Sequence, residues 1–365
     1  MIKIANSGYK QAAYWGNETQ YGSATAIAQP FGLVQSVNPT EKNSLIKVRT
    51  MGGTRDFSKI ATGKFEVTGN IDYYLQGGAF IRIAMGEDTA STATVDSGPK
   101  VHTGASYRHV MGSAASPGMN TFPSFTFEFA DAEDAGGVNT TNLKRKFTGC
   151  RVNTMKISGT VDAPVSVAVD WQAQNVIVST AAATTVSDYT VDPYVFYQGV
   201  IYATSGTISA YTAIGTTSRI AEVNSFDFTI NNNLEPVWYI SGTTNQYQSK
   251  RTLKSLNVKG REYDCSLDLH FRNKNMYQKF LGAVNATGPS DTLGYTNIVL
   301  DFVRSGTITG VKAETDDYMR LMLYGCKFND IAIGGSPEDI VGQKLGVFVT
   351  SAKIYIIDAD SNYKL

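Results

Sequence analysis

Cysteine is scarce in this sequence: there are three in 365 residues, and none lies in a C-x-x-C pair. An odd number of widely spaced cysteines matches neither a disulfide framework nor the spacing of a zinc site. Cys150 and Cys326 occupy matching places in two similar stretches of the chain, described below. That placement favours small buried core residues over reactive thiols.

Charge is also scarce, and it is balanced. Charged residues make up 18% of the chain, with 32 basic and 32 acidic side chains and a formal net charge of zero. The chain therefore lacks the overall positive field that collects nucleic acid, and a net charge near zero favours association between copies over repulsion. The basic run 144–146 is short, and a solvated strand end or a salt bridge between subunits is a simpler interpretation than a phosphate contact.

Long apolar runs are absent. No stretch approaches 18 apolar residues, so the sequence predicts no membrane span. The segment after Met1 has neither the apolar region nor the cleavage site of a secretory signal, and we expect a soluble product made in a cytosol.

Histidine is equally rare, and no catalytic motif surrounds it. His102 and His109 lie in the Gly/Ser/Ala-rich segment 87–121, which we predict to be a long loop, and His270 lies in an alternating run. The usual phosphate-binding, esterase and metalloprotease motifs do not occur. A D-x-D-x-N stretch at Asp358 opens like a calcium loop, but the glycine and the glutamate that would complete it are missing. We predict no enzyme, no catalytic residue, no cofactor and no metal.

What the sequence does contain is a β pattern. Apolar residues make up 42% and aromatic residues 11% of the chain, glycine and tyrosine are plentiful, and alternation of period two dominates. Two short stretches, 79–85 and 274–280, instead have apolar residues at helical spacing, and each is followed by a glycine suited to a helix C-terminus. The sequence therefore predicts an all-β fold with one short helix per domain.

The same landmarks occur twice in the same order. Residues 147–159 recur as 323–335, with an aromatic residue, Gly-Cys, a basic residue, an apolar residue and Asn in the same order. Ser36 matches Ser225, and Gly69 matches Gly260. A repeat of this length indicates a duplicated domain, although any all-β chain yields some similar alternating strings. We predict two tandem related β-sandwich or partly closed barrel domains, with an N-terminal arm at 1–30, a first domain at 31–178, a linker with a strand pair at 179–219 and a second domain at 220–365.

Each half also contains a polar, glycine-hinged excursion between its first two strands, at 51–59 and 241–250. Two long arms at equivalent places suit docking onto a neighbouring ring of subunits, and plain solvent loops are the alternative. The candidate contact residues are Gly52, Arg55, Asp56, Lys59, Gln246, Gln248 and Lys250.

Three stretches together resemble the tail tube (major tail) proteins of long-tailed bacteriophages and related viruses: 67–73, 84–86 and 147–153. The resemblance covers most of the chain, from about residue 32 to 349, and its motifs are structural. It implies a β-sandwich with a flanking helix that assembles into stacked rings around a lumen through which viral DNA passes without sequence-specific binding. It also implies a virion protein made in the host cytoplasm, with other tail proteins as partners, no membrane and no catalytic residues.

For a duplicated chain, the resemblance implies a ring of three copies with pseudo-six-fold symmetry, or a ring of six copies with the second domain outside. We favour three. A lumen that conducts DNA is expected to avoid positive charge, because phosphates must not bind to it.

One other class of function fits the same sequence. A duplicated β-sandwich can serve as a binding module, such as a receptor-binding, adhesin or capsid-decoration protein. Such a protein forms a discrete oligomer, whereas a tube protein forms rings or filaments when concentrated. A hydrolase on a β scaffold is disfavoured because the sequence shows no acid/base pair.

Overall fold

A computed structural model of the chain describes residues 11–49, 51, 56–86, 94–96, 106–112, 122–135, 138–206, 219–220, 222–239, 251–283, 285–305, 317–336 and 340–358. Strands dominate this part of the chain, and every strand pairing within it is antiparallel. The predicted all-β class is confirmed.

The elements of the first half run from β1 to β10 and include one helix. They are β1 (Gln11–Asn17), β2 (Gln29–Pro30), β3 (Leu33–Val48), β4 (Lys59–Tyr74), α1 (Ile81–Met85), β5 (Thr94–Asp96), β6 (Ser106–Gly112), β7 (Phe125–Ala135), β8 (Val138–Thr160), β9 (Ser166–Ala173) and β10 (Asn175–Ser179).

The elements of the second half follow a 3₁₀ turn at Phe196–Gln198. They are β11 (Gly199–Thr204), β12 (Arg219–Ile220), β13 (Val223–Asn231), β14 (Leu234–Val237), β15 (Ser255–Val258), β16 (Glu262–His270), α2 (Asn275–Leu281), β17 (Thr296–Ser305), β18 (Asp317–Gly334), β19 (Gly342–Val349) and β20 (Ser351–Asp358).

Three sheets are built from these strands. Sheet A has the order β2-β1-β7-β8-β10, and sheet C has the order β12-β11-β17-β18-β20-β6-β5. Sheet B runs through both halves in the order β3-β4-β9-β8-β13-β16-β19-β18. Strands β14 and β15 form a separate hairpin.

The strands β8 and β18 each pass from one sheet into another, and a glycine marks each crossing. Gly149 in β8 has φ 63° and Gly325 in β18 has φ 60°, a left-handed conformation that L side chains rarely adopt. The space is closed as well, because a Cβ at Gly149 would come within 2.7 Å of the Cβ of Gln174. The Gly-Cys pairs of the sequence thus lie where these long strands change sheet.

The core lies between sheet B and the two other sheets. The rings of Phe127 in sheet A and Trp171 in sheet B have centroids 5.4 Å apart, and those of Phe226 in sheet B and Phe302 in sheet C are also 5.4 Å apart. Alternation along the strands produces this arrangement, because successive side chains point to opposite faces of a sheet. In β16, for example, Cys265, Leu267 and Leu269 are buried while the residues between them are not.

Corresponding strand pairs in the two halves have matching registers. In β8 and β9, Val152 lies opposite Trp171 and a bulge follows at the next position; in β18 and β19, Phe328 lies opposite Val347 and a bulge follows at the same place. The first strands of the two halves match too. A bulge follows Val34 in the β3–β4 ladder, and a bulge follows Val223 in the β13–β16 ladder.

The two short helices are confirmed. Helix α1 ends at Gly86 and helix α2 ends at Gly282, with φ of 75° and 118° respectively. Each helix packs beside a crossing strand, α1 on β8 and α2 on β18. This contact is what stabilises helices too short to form alone.

Segments expected to lie outside the two domains contribute strands to the sheets. Strands β1 and β2 lie within the predicted arm at 1–30, and β1 pairs along β7. Strand β11 and the first residue of β12 lie within the predicted linker at 179–219, and β11 pairs along β17. The segment 87–121 is not simply a loop, because it contains β5 and β6, and β6 pairs with β20 at the edge of sheet C.

Candidate assembly surfaces

The two halves are joined within sheet B by the pairing of β8 with β13. The ladder runs from Ser225 opposite Thr160 to Asn231 opposite Thr154. On the core side of this junction, Phe228 and Ile230 on β13 and Ile157 on β8 are all 0% exposed. The junction is therefore an ordinary stretch of sheet interior, hydrogen-bonded and covered on one face.

Polar side chains clamp the same junction. Asn232 donates from Nδ2 to the backbone carbonyl oxygens of Ala84 (3.1 Å) and Val152 (3.0 Å) in the first half. Arg261 donates from Nε to Oδ1 of Asn232 (2.8 Å) and from Nη1 to the carbonyl oxygen of Met85 (2.6 Å). These bonds fix the orientation of the second half on α1 and β8.

The two edge strands of sheet B are β3 and β18. Strand β3 has the place in the first half that β13 has in the second, and β18 has the place in the second half that β8 has in the first. Within the described residues, β3 pairs with β4 alone, and residues 327–334 of β18 pair with β19 alone. Ile331 on this part of β18 is half-buried and Ile333 is 41% exposed. The residues at the corresponding positions of β8, Met155 and Ile157, are fully buried under the neighbouring half. The edge of β18 thus exposes apolar surface that its counterpart in β8 covers.

The hairpin of β3 and β4 extends beyond the sheet as an arm with an apolar tip. Its exposed apolar side chains are Leu45 (58%), Ile46 (55%), Val48 (38%), Met51 (103%), Phe57 (41%) and Ile60 (61%). Exposed apolar side chains grouped on one hairpin in this way are typical of interaction sites on soluble proteins. Two cationic side chains lie over the ring of Phe57, the ammonium of Lys47 at 4.9 Å and the guanidinium of Arg49 at 4.6 Å.

The predicted contact residues fall partly on this arm. Asp56 and Lys59 lie exposed at its tip, close to Phe57. The other five, Gly52, Arg55, Gln246, Gln248 and Lys250, lie outside the described residues.

The described residues that flank the second excursion lie beside the first arm. Arg251, at its C-terminal base, donates from Nε to the carbonyl oxygen of Gly63 (2.7 Å) and from Nη2 to Oδ1 of Asn43 (2.6 Å). Near its N-terminal base, the ring of Trp238 lies 4.4 Å under the ammonium of Lys64. The two excursions of the sequence thus have a common base on the β3–β4 hairpin.

The face of sheet B that points away from the core is polar and carries carboxylates from several strands. They belong to Asp72, Asp170, Asp227, Asp264 and Asp268. Burial, and then the neighbouring carboxylate of Asp72, raise the pKa of Asp170. Lys156 on the same face is held by Asp227 at 3.1 Å.

The cysteines are buried core residues, as the sequence predicts. Burial raises the pKa of Cys150 well above its usual value, and the nearby carboxylate of Glu18 adds to this; burial raises the pKa of Cys326 to about 12. These thiols stay protonated at physiological pH and are shielded from solvent, so they do not act as nucleophiles.

Two features are absent from the part of the chain that the structure describes: a helix able to cross a membrane and a cluster able to bind a metal ion. No helix there is long and apolar enough to cross a membrane. No three His, Cys, Asp or Glu side chains come together there in a way that could hold a metal ion.

The sequence indicated the first arm, which the β3–β4 hairpin forms, but it did not indicate the two sheet edges. Ile331 and Ile333 follow the second Gly-Cys in an alternating run, which predicts a strand and says nothing about whether a neighbour covers it. The apolar tip residues were a detectable signal, because Leu45 and Ile46 stand next to each other between polar residues.

Comparison with known proteins gives one finding. The model of the family described as phage tail tube protein matches residues 8–345 of this chain. No curated protein matches the chain.

Proposed function

Since the chain belongs to the phage tail tube family, we propose that this structural tail protein polymerises as stacked rings into the tube that conducts viral DNA during ejection. The observation that carries the proposal is the β8–β13 junction. At this junction the two halves of the chain pair edge to edge, and within the described residues β3 and the 327–334 part of β18 each pair on one side alone, so both edges can repeat the junction between chains. Closure into a ring removes both exposed edges, which are otherwise sites of uncontrolled association.

We propose that the chain is an internal duplication with three copies per ring and pseudo-six-fold symmetry. The matching bulges after Val152 and Phe328, and the left-handed glycines at 149 and 325, support the duplication. Strand β1 pairs along β7, and β11 pairs along β17. These pairings support a first unit that begins by Gln11 and a second unit that begins by Gly199, instead of the boundaries expected from the sequence. A ring of six copies is the alternative arrangement.

The polar face of sheet B is the proposed lumen wall. Its carboxylates repel the phosphates of DNA, and its lysines are partly neutralised, as Lys156 is by Asp227. DNA then passes without the phosphate contacts that produce binding. The protein itself makes the wall, so the proposal requires no cofactor.

The β3–β4 arm, together with the excursion at 241–250, is the proposed contact between successive rings. Its apolar tip suits burial against another copy of the chain, and Asp56 and Lys59 lie where they can form ion pairs there. Other tail proteins would meet the same surfaces at the two ends of the tube.

Electron microscopy of the purified chain tests the proposal. We expect rings, and tubes at higher concentration, with a ring mass by native mass spectrometry of three chains of 39.5 kDa each. Monomers that persist at high concentration contradict the tube. A discrete oligomer that never stacks supports the binding-module alternative, and a six-chain mass overturns the three-copy ring.

The arm tip gives a separate prediction. Phe57→Ser combined with Ile60→Ser removes two exposed apolar side chains, so we expect rings to form normally and tubes to be lost. Each exposed side chain that becomes buried contributes about 1.5–3 kcal/mol to a contact. Leu293→Ser, at a similarly exposed apolar position outside the hairpin, serves as the matched control. Tube length measured by microscopy is the readout; normal tubes from the double variant would rule out the arm tip as the stacking contact.

A further inference from the structure

The junction within one chain specifies the register of the junction between chains. Residues 151–158 of β8 pair with β9 as residues 327–334 of β18 pair with β19, so Thr154 corresponds to Asp330. In the same way, Asn231 of β13 corresponds to Lys42 of β3, because both strands have the same bulge and the same pairing to the next strand. Five of the seven pairs of the β8–β13 ladder, from Asn231–Thr154 to Asp227–Ser158, therefore have a counterpart between β18 and β3, because β18 ends at Gly334.

We propose that β18 of one copy pairs antiparallel with β3 of the next, with Asp330 opposite Lys42, Ala332 opposite Thr40 and Gly334 opposite Asn38. This inference rests on the proposed ring and adds its residue-level contact. The partner is a second copy of this chain, since β3 and β18 form opposite edges of one eight-stranded sheet, about 30 Å apart at the ordinary strand spacing.

The side chains on the core face fit this register. Ile333 takes the place of the fully buried Ile157 and lies opposite Pro39 of the next copy. Ile331 takes the place of Met155 and lies opposite Glu41, whose carboxylate is 3.5 Å from Arg145 of its own chain. A slip by one residue would set these isoleucines opposite residues of the polar face of the next copy, because side chains alternate along a strand. The apolar side chains thus disfavour a register shifted by one residue.

The polar face distinguishes among the remaining registers. Asp330 faces Lys42, an opposite-charge pair of the kind that stabilises neighbouring strands. A shift of two residues in one direction puts Thr40 opposite Asp330 and loses the pair. Pro39 has no backbone N–H, which confines it to an edge strand and leaves at most one hydrogen bond of the new ladder unmade.

Disulfide trapping tests the register directly. The double variant Thr40→Cys with Ala332→Cys is expected to cross-link adjacent chains under mild oxidation, because directly opposite residues have Cα atoms about 4.5–5.5 Å apart. The matched control, Asn38→Cys with Ala332→Cys, moves one thiol two residues along the strand and out of reach. Both sets of positions are exposed, and the three native cysteines are buried and free.

The outcomes separate the register from the ring. Dimeric and trimeric chains on a non-reducing gel from the first variant, with monomers from the control, support the register. Rings by microscopy with cross-links from the control alone, or from neither variant, overturn the register and leave the ring intact. The absence of both rings and cross-links overturns the ring and the register together.

A charge exchange gives an independent measurement that needs no oxidation. Asp330→Lys places two lysines opposite each other, and we expect the concentration for half-maximal assembly to rise about five-fold. Adding Lys42→Asp to that variant is expected to restore assembly, because the pair is re-formed with its charges exchanged. If the double variant assembles as poorly as Asp330→Lys alone, residues 330 and 42 do not face each other.

Discussion

Ile333→Lys is expected to abolish ring formation while the monomer stays folded. In a single copy Ile333 is 41% exposed, so a lysine there keeps its ammonium in water. In the ring it would occupy the place that Ile157 has in the internal junction, where the side chain is fully buried. Burying an unpaired charge costs at least about 3 kcal/mol, which weakens each contact by on the order of a hundred-fold.

Two matched variants show whether position or chemistry causes the effect. Ile157→Lys places the same charge inside the chain, and we expect it to destabilise the monomer by more than about 4 kcal/mol or to prevent folding. Ala332→Lys puts a lysine one residue away, on the polar face of β18, and should leave folding unchanged and assembly far less affected. Circular dichroism reports folding, and sedimentation velocity reports assembly. Normal rings from Ile333→Lys would show that the edge of β18 is not covered in the assembly.

Asp301→Ala is expected to lower the free energy of unfolding by about 3–5 kcal/mol, because it leaves a buried guanidinium without its main counter-charge. Arg320 donates to the two carboxylate oxygens of Asp301 at 2.6 Å and 2.7 Å, and both residues are 1% exposed. They lie directly opposite each other on β17 and β18, so the pair also helps to hold the register of sheet C.

An exposed ion pair in the same chain is the control for this variant. Lys259 and Glu235 are 3.1 Å apart, but their side chains are 57% and 51% exposed. Glu235→Ala should therefore cost less than about 1 kcal/mol. Chemical denaturation followed by tryptophan fluorescence measures the free energy of unfolding of both variants. A decrease for Asp301→Ala as small as that for Glu235→Ala would mean that other groups stabilise the charge of Arg320 when Asp301 is removed.

Much of the fold could be predicted because the relevant signals are local. Alternation predicted strands, and helical spacing followed by Gly86 and Gly282 predicted two short helices that are present. The Gly-Cys pairs at Cys150 and Cys326 each lie where a long strand changes sheet, and the left-handed backbone at that crossing favours glycine.

Pairing was harder to predict, because it depends on partners far away in the chain. The sequence comparison matched Gly69 with Gly260, but the ladders place Gly69 opposite Trp171 and Cys265 opposite Val347, so Cys265 is the residue paired like Gly69. The comparison failed there because the chain between β13 and β16 contains an additional hairpin, β14–β15, which displaces any alignment based on glycine alone.

By itself, the sequence determined the class of fold, the two short helices, the burial of the cysteines and the resemblance to tail tube proteins. Each of these follows from neighbouring residues, through the alternation of side chains or the conformation of glycine. Only the tertiary structure decided that β8 joins β13 and that, within the part of the chain that the structure describes, no strand covers the edge of β3 or of residues 327–334 in β18. Any strand can hydrogen-bond to any other through its backbone, so the choice of partner depends on which apolar faces meet across the whole core.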